Sequence, residues 1–157
     1  MAGLYDDIDI RFYWNGDFGL GHDGDFADTL EDGLLSLRQE LHDICASALG
    51  DWELYPNRGA GLEDYIGEPN TRSVSESIHD RVRMAIIAAA LVAEDDLEVR
   101  VVPVHRHKVL ILLSVHVMPS AFNKMNAESS YLKTALLFDF VEQGMLFFDK
   151  IPELTNI

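Results

Sequence analysis

The sequence predicts an α+β fold: two main helices packed on a small, mostly antiparallel sheet, followed by a C-terminal extension. Two stretches repeat apolar residues at helical spacing. A β-branched run, LEVRVVPVHRHKVLILLSVHV, reads as a pair of strands around a short turn. No repeated βαβ unit is visible, which sets a doubly wound parallel sheet aside.

Taken in order, Ile8 to Trp14 (IDIRFYW) reads as a strand rich in β-branched and aromatic residues. Asn15 to Asp25 (NGDFGLGHDGD) reads as a glycine–aspartate loop. Its doubled Gly-Asp-Phe, at Gly16 and Gly24, is too short to mark a solenoid repeat. The first helix is predicted from about Phe26 to Ala48, where Leu30, Leu34, Leu37, Leu41, Ile44 and Ala48 form one apolar stripe. The same spacing is a heptad pattern. The stripe therefore suits either the chain's own core, the commoner use, or a partner helix packed lengthwise. Cys45 lies on the apolar side and is expected as a buried, reduced thiol. Gly50 suits the C′ position, where positive φ favours glycine.

Asp51 to Asn70 (DWELYPNRGAGLEDYIGEPN) has the composition of a rigid, packed connector, with Trp52, Tyr55, Pro56 and Leu62 as expected packing anchors. The second helix is predicted to start at Ser73 through a Ser73–Glu76 capping box, and Val74, Ile78, Val82 and Ile86 then recur every four residues. The pattern breaks around Glu94 to Asp96. Leu97 to Val117 follows as two strands turning near Arg106 and His107. Pro103 lacks a donor N–H and marks its strand as an edge or as bulged, whereas Val109 to Val117 reads as a central strand. Beyond Pro119 the reading is open: Ser120 to Lys133 as loop or short helix, and Ala135 to Phe148 as a hairpin turning at Glu142 to Gly144 or as a helix. Strands are preferred there because the segment is aromatic-rich and split by glycine. The division expected is a domain over 1–118 and an extension over 119–157 whose removal leaves the core folded.

The chain has 157 residues, 48% of them hydrophobic, and one cysteine, which suits one domain with a real core and no intrachain disulfide. No apolar run reaches the ~18 residues of a membrane span, and the acidic N-terminus lacks a signal-peptide layout. Synthesis in a reducing cytoplasm is the expectation. Net charge is −15, and residues 1–68 hold 16 acids against 3 bases. That half argues against direct nucleic-acid binding and fits contact with a basic protein surface, or simple solubility.

Gly19-Leu20-Gly21-His22-Asp23-Gly24 matches G-x-G-x-x-G between a strand and a helix, but Asp17, Asp23 and Asp25 would repel a pyrophosphate. The same aspartates lack the order of a calcium loop. His105, His107 and His116 do not converge as metal ligands on the predicted hairpin. Glu53, Glu63, Asp64 and Glu68 offer carboxylate pairs without a recognisable nucleophile context. No cofactor or metal is expected, and no catalytic residue is assigned.

Leu49-Gly50, Trp52-Glu53, Pro56, Gly59-Ala60, Leu62, Ile66-Gly67 and Pro69-Asn70 stand in order between two helices, ahead of an acidic break and strands. Over about residues 20–117 this layout resembles the baseplate wedge proteins of contractile phage tails. That is the lysozyme-like wedge family of the T-even phages, shared with the type VI secretion baseplate. The resemblance implies a non-enzymatic structural subunit that connects the inner baseplate to the first sheath ring. It would be present in multiple copies in a six-fold assembly within the virion tail, built in the host cytoplasm. Its partners would be other wedge proteins and the sheath protein, with no nucleic acid and no membrane. Strand edges would extend the sheath subunit's sheet. The partner-binding candidates so implied are Leu30, Leu34, Leu37, Leu41, Trp52, Glu94, Val101 and Pro103. The family's Glu-Pro-Arg before the strands is here Glu94-Asp95-Asp96, so only the glutamate is kept. Two other classes are a peptidoglycan-cleaving muramidase and an acidic protein-binding adaptor unrelated to tails.

Overall fold

A computed structural model of the chain describes residues 9–13, 17–29, 33–117, 131–141 and 145–148. Two α-helices, α1 (Gly33–Ala46) and α2 (Arg72–Ala88), precede four strands: β1 (Leu97–His105), β2 (Lys108–His116), β3 (Tyr131–Asp139) and β4 (Met145–Phe148). The strands form one antiparallel sheet in the order β1-β2-β3-β4. The α+β class, with two helices on an antiparallel sheet, is as the sequence predicts.

Alternation on the strands decides what the helices cover. Leu97 and Val99 of β1, Val109, Ile111, Leu113 and Val115 of β2, and Leu132, Leu136 and Phe138 of β3 are buried on one face. Register aligns them in rows, with Val99 opposite Leu113 and Ile111 opposite Leu136. Helix α2 closes this face with Ile78, Val82 and Ile86, and α1 closes it with Leu37, Leu41, Ile44 and Cys45. Each such large aliphatic side chain taken fully out of water contributes roughly 1.5–3 kcal/mol. The Cys45 thiol is buried as expected, and burial alone pushes its pKa up to about 12. One polar pair enters this core: His42 Nε2 of α1 lies 2.8 Å from Thr134 Oγ1 of β3.

The β1–β2 hairpin turns at Arg106–His107, and its register shifts between Pro103 and His105. Strand β1 is an edge and β2 is central, as Pro103 and the apolar run require.

Four expectations need correction. The first helix begins at Gly33 rather than near Phe26, because Phe26 and Asp28 are engaged in β-bridges. The cap of α2 is Thr71, whose side chain accepts from Val74 N–H at 3.3 Å, so Ser73 already lies inside the helix. Gly50 has the positive φ expected (91°), but it lies in a turn beyond the helix and not at C′. Finally, the segment after 119 supplies core. Strand β3 pairs with β2 along nine residues and buries Leu132, Thr134, Ala135, Leu136 and Phe138, and Phe140 just beyond it is buried as well. Residues beyond 119 therefore belong to the core rather than to a separable extension. Strand β4 pairs back on β3, the hairpin alternative; the 142–144 turn and most of the 120–133 stretch lie outside the described residues.

The N-terminal segment is a closed ribbon of three short stretches rather than a single strand. Arg11 N–H donates to Ala27 O, Ala27 N–H to Gly19 O, and Gly19 N–H to Arg11 O, at 2.7–2.8 Å. A second ring of bonds repeats the relation: Tyr13 to Asp17, Gly21 to Asp25 and Thr29 to Asp9. Adding eight to each residue number, with a number past the third stretch returned to the first by subtracting twenty-four, turns one bond into the next, so the ribbon has a pseudo-threefold. The doubled Gly-Asp-Phe is the sequence trace of this period, together with Asp9-Ile10, Asp17-Phe18 and Asp25-Phe26. Gly19 suits the centre, where an added Cβ would sit a tight 3.2 Å from Arg11 O and 3.4 Å from Ala27 Cβ. Gln39 of α1 holds the ribbon through its side-chain amide, accepting from Phe12 N–H at 2.9 Å and donating to Ile10 O at 3.1 Å.

Candidate interaction surface

The connector between the helices is strapped to both layers. Ala60 N–H donates to Ile44 O at 2.8 Å and Gly61 N–H to Ser47 O at 3.2 Å. These bonds satisfy carbonyls that the end of α1 leaves open. Such close approach excludes a side chain at Gly59, where a Cβ would lie 2.6 Å from Ser47 O and the backbone has φ +131°. Further along, Gly67 N–H donates to Phe140 O at 2.7 Å, and Asn70 Nδ2–H to His105 O at 2.8 Å. Arg81 of α2 reaches back to Gly61 O at 3.0 Å and to Asp64 at 2.6 Å, with its guanidinium over the Tyr65 ring. Leu62 and Ala60 complete the core from this side. The rigid connector read from composition is thus present.

Its first half is built differently from the expectation. Of the four expected anchors only Leu62 is buried. Trp52 is 42% exposed, Tyr55 63% and Leu54 86%, and Pro56 is exposed as well. Trp52 is nonetheless fixed: its Nε1–H donates to Ser47 Oγ at 3.0 Å, and the Arg58 guanidinium stacks 5.2 Å from its ring centroid. Arg58 in turn pairs with Glu40 of α1. With Leu49, also exposed, these side chains make an apolar apex on an ordered support. An ordered aromatic apex is the form of an anchor residue, because little side-chain entropy remains to be lost on binding.

A second accessible feature is the outer edge of β1. Arg83 Nη1–H donates to Leu97 O at one end and Asn70 caps His105 O at the other. Between them lie Val101 and the exposed Val102, Pro103 and Val104, with the start of α2 alongside. Asn70, Thr71, Arg72, Ser75, Glu76, His79, Val101 and Pro103 line a groove of about 510 Å³ there.

The sequence-derived candidates therefore separate. Leu37 and Leu41 are buried in the chain's own core and present nothing to a partner helix; Leu34 is half-buried against the same core. Leu30 lies outside the described residues. Glu94 is held at 2.9 Å by Arg83, tying α2 to the start of β1. Trp52, Val101 and Pro103 lie on the two accessible features. Leu54 is not singled out in the sequence and Tyr55 is expected to pack inward, yet both are exposed; a short, proline-bounded loop after a helix end is the signal for that.

The motif-level alternatives also find their places. Gly19 and Gly21 of the G-x-G-x-x-G match belong to the paired ribbon, with Gly24 in its 21–25 turn, so the three do not form a loop opening onto a helix. His116 pairs with Asp96 at 3.2 Å, far along β2 from His105 and His107. Among the described residues no group of three or more His, Cys, Asp or Glu is placed to hold a metal ion. No helix among them is long and apolar enough to cross a membrane. No family model matches the chain, and neither a curated protein nor a solved structure is significantly similar to it.

Proposed function

We propose that this chain is a structural, non-enzymatic subunit of a contractile-tail baseplate wedge, linking the inner baseplate to the first sheath ring. The observation that carries the reading is the apex at Leu49, Trp52, Leu54 and Tyr55, exposed on a connector strapped to α1, α2 and the sheet. A strapped backbone and a Trp52 ring already held by Ser47 and Arg58 suit permanent assembly, since both keep down the ordering cost of binding. The β1 edge supports a second contact. An added strand can pair with its outer main chain and seat side chains in the groove beside Val101 and Pro103. The acidic first 68 residues favour a basic partner surface.

Electron microscopy of a contractile particle assembled with this chain tests the proposal. Density for the fold in the six-fold collar beneath the sheath is expected, with the Trp52 apex at a wedge contact. Absence from that collar would leave the acidic-adaptor reading. Peptidoglycan hydrolysis by the purified protein, abolished by Glu53→Gln or Glu63→Gln, would replace both with the muramidase reading.

A further inference from the structure

We propose that the pseudo-threefold ribbon over residues 9–13 and 17–29 is a docking platform for a basic protein surface, one that sets lysines and arginines beside an apolar patch. This surface is separate from the connector apex and the β1 edge, and it stands whether or not the chain belongs to a baseplate.

Strand alternation puts Ile10, Phe12, Phe18, Leu20 and Phe26 on one side of the ribbon, directly opposed in the bridges Phe12–Phe18 and Leu20–Phe26. The rings of Phe12 and Phe18 lie 5.0 Å apart and those of Phe18 and Phe26 5.2 Å apart. These five side chains are 38–65% exposed. Large side chains present ~150–250 Å² each, so about half of five amounts to on the order of 500 Å² of contiguous apolar surface. That is at the upper end for a monomer's largest patch, and more than half of the ~800 Å² per partner in a standard interface. The platform is also pre-formed, because two rings of main-chain bonds and the Asp9 N–H to Thr29 Oγ1 bond close it, and Gln39 of α1 fixes it to the domain.

Charge selects the occupant. Residues 9–29 carry five aspartates against one arginine. An aspartate recurs one residue before an apolar side chain at Asp9, Asp17 and Asp25, which alternation turns to the other side of the ribbon, and the bridge Ile10–Asp28 sets a further carboxylate on the apolar side itself. The Asp9 and Asp25 carboxylates accept from the following N–H at 2.8 Å, which fixes them to the ribbon. A second copy would bring an identical acidic ribbon up to this one, and like charges oppose that pairing. A basic partner surface complements it.

A test uses the full-length chain, isotopically labelled for NMR, and a synthetic amphipathic helix of leucine and lysine. Controls are a scrambled peptide of equal composition and a leucine–glutamate helix. The leucine–lysine helix is expected to shift the amides of residues 17–28 first and to bind at least tenfold tighter than either control. Phe18→Ser and Leu20→Ser, which leave the charge unchanged, are each expected to weaken it at least tenfold without altering thermal unfolding. The proposal is overturned if the shifts map elsewhere, or if both variants bind as the parent does, which would mean charge attraction alone. A dimer in sedimentation equilibrium that Leu20→Ser dissolves would make a second copy the occupant. Nuclear Overhauser contacts from Phe18 and Phe26 to the chain's own residues beyond 117 would mean the platform is already covered.

Discussion

Replacing Gly59 with alanine is expected to cost about 4 kcal/mol of unfolding free energy, from two sources. The backbone at this position has φ +131°, where an L side chain is strained by roughly 1–3 kcal/mol. The new Cβ would also stand 2.6 Å from Ser47 O and 2.9 Å from Ala48 O. Both are main-chain atoms at the end of α1, so no side-chain rotation relieves the overlap, and overpacking adds about 1–3 kcal/mol. Moving the connector outward instead would break the bonds from Ala60 to Ile44 and from Gly61 to Ser47, at about 1 kcal/mol each. Gly67 provides the control. Its φ is +88° and nothing lies within 4 Å of its would-be Cβ, so Gly67→Ala should lose only the conformational part, ~1 kcal/mol. Urea unfolding followed by circular dichroism measures both. For a chain of this size the Gly59 variant should also melt roughly 10 °C lower. Equal losses for the two variants would refute the idea that close approach to the α1 terminus is what fixes Gly59.

Thr71→Ala should cost ~1 kcal/mol as the loss of a helix cap, whereas Ser73→Ala should stay within ~0.5 kcal/mol, both read from urea midpoints. Burial, reinforced by the nearby Arg38, lowers the pKa of His42 from 6.5 to about 4. Between those values the unfolded chain binds a proton that the folded chain refuses. This contribution is therefore complete above pH 6.5 and is lost as pH falls toward 4, by roughly 3 kcal/mol in all. Comparing the pH dependence of unfolding with that of His42→Asn checks it, and a parallel pair of curves would refute it. A chain ending at residue 118 should be unfolded by circular dichroism, because it lacks Leu132, Leu136, Phe138 and Phe140 and leaves His42 without Thr134. Leu54→Ser should leave unfolding within ~0.5 kcal/mol, and Trp52→Ala should cost on the order of 1–2 kcal/mol through its lost Arg58 stack and Ser47 bond; under the proposed function both weaken wedge assembly, scored by incorporation into particles.

Local periodicity made much of the fold legible. Val74, Ile78, Val82 and Ile86 marked the buried side of α2 because every fourth helical residue shares a face. Pro103 marked an edge strand because it cannot complete a ladder. The period of eight in the first 29 residues was visible only as a doubled Gly-Asp-Phe. The bonds that close it join Arg11 with Ala27 and Thr29 with Asp9, far apart in the chain, and no local rule foretells that closure. The start of α1 was misplaced for the same reason, since Phe26 fits a helix until its pairing with Leu20 is known.

For the candidate surfaces the division is sharper. By itself the sequence determined the fold class, the hairpin, the buried Cys45 and the existence of a rigid connector, because each follows from spacing, burial preference or backbone freedom at particular residues. It did not separate Leu62 from Leu54, or Leu41 from Trp52, as inward or outward. All are large and apolar, and which of them water reaches depends on where a distant segment lies. Only the tertiary structure decided that. The bond from Gly67 to Phe140, together with the bonds of Ala60 and Gly61 to α1, turns one half of the connector into the core and leaves the other half projecting from it.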